Sequence, residues 1–340
     1  MKNYKAILFF FSLAIFFSNR SFAQKSNYKI ISTFHIGGTG GWDYIALDPG
    51  SNKLYQSHGT QVNILDRTTG DSLGVILNTT GVHGIAFVDD LNKGYTSNGK
   101  INTVTVFDLS TFKIIKQIPT DPNPDAIRYD AFSKQIITCN GKGKDLSIID
   151  PVSDTVVATI PLDGKPEEAV SDGAGNIYVN IEDKSEISWI DIKTKKVIAN
   201  WPIAPGESPT GLAMDLKTKR LFAGCDNKLM IVVDATNGRI IDKLPIGDGC
   251  DGVAFDAELQ YAYASCGDGT LTIVKEKSAN DLKVLDIVKT QKGARTIAID
   301  PKTHHLFLPT ADYEVLPAGS DAKARPKTIA GSFRIIVLAK

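Results

Sequence analysis

Seven residues recur at one place in a repeating pattern: Asp43, His83, Asp125, Glu167, Thr210, Asp251 and Arg295, separated by 40, 42, 42, 43, 41 and 44 positions. All but Thr210 can carry charge, and with His58 they supply the donors a cation would need. Hard cations take carboxylate oxygens, whereas imidazole beside carboxylate suits zinc and other transition ions. Asp43, His58, His83, Asp125 and Glu167 therefore form the candidate set for a divalent metal. The plainer account is that polar residues line a hydrated channel, since no closely spaced ligand motif such as HExxH is present. Arg128 stands where five of the seven repeats carry Ala. It must pair with Asp125, Glu167 or Glu168, or with an anionic ligand. Tyr313, in a long loop near the end of the chain, completes the candidate binding set.

The elements that must position these residues are strands. The segments WDYIALD (from Trp42), VHGIAFV (Val82), PDAIRYD (Pro124), PEEAVSD (Pro166), PTGLAMD (Pro209), CDGVAFD (Cys250) and ARTIAID (Ala294) each open a unit. A second run follows, as in LYQSHG, GYTSNG and AYASCG. A third ends in an acidic residue and a turn, and a fourth is short and alternating, as in TVVATIP. Short alternating or β-branched runs bounded by Gly, Asn, Asp and Pro are strands. Four per unit at this period predict a seven-bladed β-propeller of antiparallel strands. Asp48, Asp130, Asp172, Asp215, Asp256 and Asp300, which follow the first strands, are expected to cap turns with their own side chains.

The last unit stops after its third strand, SFRIIVLAK. The segment from Lys29 to Phe34 resembles a fourth strand, so it is expected to complete blade seven and close the ring, protecting edges that would otherwise pair with other chains. Residues 1–23 have the layout of a cleaved signal peptide: a basic start at Lys2 and Lys5, an apolar run, and small residues at Ser21 and Ala23. That run is too short to span a bilayer, and no other stretch is apolar enough. A single domain over 24–340, monomeric and periplasmic or secreted, is the expectation. Charge balances over the whole chain, 38 basic against 38 acidic residues, so nothing draws it to a nucleic-acid backbone. Among Cys225, Cys250 and Cys266 one disulfide is expected, leaving Cys139 free.

The period and second strands such as IYVN and GYTSNG, together with the closing LFLPTADYEV…GSFRIIVLAK, resemble the YVTN-repeat, YncE-like family of exported propellers. The resemblance implies the fold across the chain and assigns no chemistry. GGTGGWD lacks the following helix of a phosphate loop, no GxSxG nucleophile motif occurs, and His304-His305 reads as a surface turn. Loops that enter first strands and leave second strands share one face, the top, where the polar residues collect. The loop Ala311 to Gly331, longer than its counterparts, is expected to cover part of that face. The functional expectation is non-catalytic binding of a partner protein, a glycan or a small ligand there. The alternative is a metal-dependent hydrolase or lactonase.

Overall fold

The computed structural model describes residues 25–315 and 326–340; the signal-peptide reading and the middle of the long loop, with Pro317, Lys323 and Arg325, lie outside them. Seven sheets of four antiparallel strands form the ring. Blade one runs from Trp42–Leu47 through Lys53–His58 and Gln61–Asp66 to Ser72–Ile76, and the next five repeat this plan. Second and third strands are buried on both faces, as in Gln135–Asn140 and Asp145–Asp150, because each is sandwiched between neighbouring blades. Fourth strands face solvent on one side, and Lys196–Pro202 alternates accordingly. Proline closes several of them, where a missing ladder donor costs nothing.

Closure is by the N-terminal strand. Lys29–His35 pairs antiparallel with Arg334–Ala339, setting Ile30 opposite Leu338 and Phe34 opposite Ile335. Phe34 is buried with its ring centre 6.3 Å from that of Phe307. The segment before the strand ties into blade six: Ser26 Oγ donates to Asp286 at 2.7 Å, and the Tyr28 and Tyr263 hydroxyls lie 2.9 Å apart. The six turn aspartates act as expected, each accepting backbone N–H groups of its own turn, from Gly50, Ser133, Ala174, Lys217, Glu258 and Lys302.

Three readings are corrected. The first strand of blade seven is only Ala298–Ile299, because a turn from Gln291 to Arg295 takes the preceding residues out of the ladder. No disulfide forms: all four cysteines are buried free thiols, with Cys250 directly across the ladder from Cys266. His304 does more than sit in a surface turn, since its Nδ1 lies 2.7 Å from Asp256 and joins blade seven to blade six.

The innermost strands approach closely round the axis. A Cβ on Gly211 would lie 2.7 Å from the backbone nitrogen of Val253 and 2.9 Å from the carbonyl carbon of Gly252. Backbone cannot swing aside as a flexible side chain can. Gly211→Ala should therefore lower the unfolding free energy by about 1–3 kcal/mol, the usual cost of overpacking, as read from urea denaturation.

Candidate functional site

The side chains at the channel mouth are aimed by a device the repeats share. In blades one to six the pairing of first with second strand shifts register just after the opening residue, between Trp42 and Ile45, for example, and between Pro124 and Ile127. Such bulges twist a strand and redirect a side chain. Hydrogen bonds between blades then fix the backbone. Thr296 Oγ1 donates to the Asp43 carbonyl at 2.8 Å, Ser97 Oγ to that of Asp125, Asn180 Nδ2 to that of Thr210 at 3.0 Å, and Thr210 Oγ1 to that of Cys250 at 2.5 Å. These clamps were not identified from the sequence, although the Ser and Asn in second strands, such as Ser97 and Asn180, and the Thr in the opening segments of blades five and seven were visible there.

The result is a chain of alternating charge around the ring. Arg295 of blade seven donates through Nε to Asp251 of blade six at 2.5 Å, and its Nη2 lies 3.7 Å from Asp43 of blade one. Asp43 in turn meets His83 Nδ1 of blade two at 2.6 Å, and that nitrogen lies 3.6 Å from Asp125 of blade three. Glu167 of blade four is held at 2.5 Å by Lys165, which also pairs with Glu182. Tyr313 stands at the rim beside Gly293 and Trp42, and the base of its loop is pinned by a bridge between Tyr313 and Thr328. Asp43, Asp125, Glu167, Asp251, Arg295 and Tyr313 enclose a mouth of about 730 Å³, whereas His83 lines an adjoining cavity that shares Asp125.

Protonation follows from the crowding. Burial disfavours the imidazolium of His83, but the Asp43 hydrogen bond and the charges of Asp125 and Glu167 prevail and raise it to about 9. Burial, with Asp43 and Asp251 nearby, outweighs the relief from His83 and pushes Asp125 up to about 7. Glu167 rises to about 9, first through burial and then through Asp125, against the pull of Lys165. The mouth thus holds more carboxylate than its own cations neutralise.

Of the five residues expected to share a metal, Asp43, His83 and Asp125 come together, with donor atoms all within 4.8 Å of one another. They offer two oxygens and one nitrogen, a set that fits a divalent transition ion. Glu167 lines the same mouth but is engaged by Lys165. His58 does not join them. Its Nδ1 bonds Asn63 at 3.1 Å, its ring lies tilted against Phe333 with centres 4.4 Å apart, and the Gly38–Gly40 turn closes over it. Burial lowers its proton affinity accordingly. Arg128 is also displaced from the expected set. It lies three residues further along its strand than Asp125, roughly 10 Å deeper at the usual rise. There it lines the channel interior and pairs with Glu168 at 2.8 Å and the Ala169 carbonyl at 2.6 Å.

The fold and this mouth define a seven-bladed β-propeller with a charged channel entrance. The uncharacterized protein YncE of Salmonella typhimurium is 26% identical over 218 residues, 59% of this chain and 58% of that protein. YncE of Salmonella typhi is 25% identical over 192 residues, 52% of each. The chain therefore spans little more than half the length of the curated relatives it matches. Together with the seven-bladed ring, these matches support a YncE-like propeller. No family model matches the chain, and the YVTN-repeat label stays a resemblance. A hydrazine synthase chain of Kuenenia stuttgartiensis superposes with a TM-score of 0.72 at 16% identity, covering 82% of this chain and 96% of that one, a likeness of fold alone.

Proposed function

We propose that this protein is an exported, non-catalytic binding propeller whose mouth takes a small polar ligand. The observation that carries this reading is the set of side chains at the second position of the first strands: those of six blades, Asp43, Asp125, Glu167, Thr210, Asp251 and Arg295, line one cavity of small-molecule size, and His83 of blade two opens onto the cavity beside it. Trp42 and Tyr313 add aromatic wall to the same cavity, and aromatic side chains are common in small-ligand pockets.

The nucleophile candidates at the mouth argue for binding over covalent chemistry. The Thr210 hydroxyl is spent on the Cys250 carbonyl. The Cys250 thiol is pushed well above its ordinary value by the neighbouring Cys266 thiol and by burial, so it is not an activated thiolate. The second reading, a metal-dependent hydrolase or lactonase, is favoured by the three converging donors Asp43, His83 and Asp125.

A thermal-shift screen of amines, carboxylic acids, sugars and divalent metal salts separates the readings. Ligands that stabilise the parent protein should bind at least ten-fold more weakly to Asp125→Asn. Equal stabilisation of both proteins would place binding elsewhere. Retention of one equivalent of zinc or manganese after dialysis, lost in His83→Ala, would favour the metal reading.

A further inference from the structure

We propose that the ligand of this mouth is a zwitterion, with its cationic group between Asp125 and Glu167 and its anionic group against Lys100 and Lys142. The inference rests on the mouth being a small-ligand site, as proposed above. Charges alternate from Asp251 through Arg295, Asp43 and His83 to Asp125, each with its partner in the next blade. At blade four the alternation fails, because Glu167 follows Asp125. Lys165 does not restore it, being shared between Glu167 and Glu182. An ammonium group placed there would supply a cation between the two acids, and neutral Thr210 separates Glu167 from Asp251.

Directly outside this gap a second cavity of about 490 Å³ opens over blades two to four. It shares Asp125 and Lys165 with the mouth, and its far side carries Lys100, Lys142, Asn102 and Asn123. Lys100 and Lys142 have no ion-pair partner among the described residues, so this lobe presents uncompensated donors. Ammonium groups and side-chain amides together are donors suited to a carboxylate or phosphate. The two lobes meet at Asp125 and Lys165, so one short ligand can reach both. A purely cationic ligand would leave the lysines unanswered. A purely anionic one would have to approach Asp125 and Glu167. An amino acid or a short peptide carries both charges on one small molecule, which names the chemical class.

Calorimetry on the whole protein with the ω-amino acids from glycine to 6-aminohexanoate, beside hexylamine and hexanoate, tests this. One chain length should bind at least ten-fold more tightly than either single-charge compound. The double variant Lys100→Gln/Lys142→Gln changes only exposed side chains, so its fold should be retained, as circular dichroism would verify. It should abolish that advantage and leave the affinity for hexylamine unchanged. If hexylamine binds as tightly as every amino acid and depends on Glu167, the zwitterion is wrong and the mouth remains a cation site. If no member of the series binds, the zwitterion is equally wrong, and the screen described above judges the mouth by itself.

Discussion

Deleting residues 25–36 should abolish cooperative folding and send the protein into the insoluble fraction. The lost strand supplies the outer edge of blade seven, pairing with Arg334–Ala339. Removing it exposes the backbone donors and acceptors of that strand, a template for pairing with other chains. It also strips Phe34 and Tyr28 from their buried positions, and with Tyr28 the hydroxyl contact to Tyr263 in blade six. A milder probe separates closure from a general loss of chain. Phe34→Ala keeps the ladder but empties the space beside Phe307, and should cost about 3–5 kcal/mol by the usual large-to-small penalty. Urea titration reads the point variant and centrifugation reads the deletion. A deletion protein that stays soluble and melts with the parent would mean the ring is held without its N-terminal strand.

Stability should fall as pH rises from about 4 to about 9, and the mouth should account for the fall. Asp125, Glu167 and His83 all bind a proton more tightly in the folded protein than when unfolded. Whenever the folded state holds the extra proton, raising pH works against it. For Asp125 the window runs from its unfolded value near 4 to about 7. For Glu167 it runs from a similar start to about 9. For His83 the stabilisation is complete below its unfolded value near 6.5 and is lost as pH passes about 9. Every tenfold gain in proton affinity on folding is worth about 1.4 kcal/mol. Removing the ionisable carboxyls in Asp125→Asn/Glu167→Gln should flatten the profile and leave the variant more stable than the parent at pH 9, by on the order of 2 kcal/mol or more. Melting curves of both proteins across this range check it, and parallel profiles would show that these carboxyls are not strained in the folded state.

The position of the mouth residues was legible because the period is strict. Once seven first strands were aligned, Asp43, His83, Asp125, Glu167, Asp251 and Arg295 fell at one place in each, and geometry required them to share a face. His58 and Arg128 failed for different reasons. His58 ends a second strand, a place that also faces the top, but Phe333 and the Gly38–Gly40 turn reach it from elsewhere in the chain and cover it. Arg128 occupies the right strand at the wrong depth, and strand alternation alone does not say how far down a channel a side chain opens. The expected disulfide is absent, and Cys225 sits in the blade-five sheet opposite Pro209. Only Cys250 and Cys266, in one ladder, face each other, and both remain thiols.

The sequence by itself determined the number of blades, their four-strand plan and the closing pair, since hydrophobic alternation, turn residues and period are local properties that repeat. It also determined which residue each blade brings to the mouth. The tertiary structure decided which of those residues touch. Bulges after the opening residue of the first strands and hydroxyl clamps from adjoining blades set the last few ångströms. Those ångströms turn a ring of charges into Asp251–Arg295–Asp43–His83–Asp125, with its break at Glu167. Electrostatic energy depends steeply on distance in a partly buried site, so contacts of 2.5 to 3.7 Å fix the chemistry. No repeat spacing encodes them.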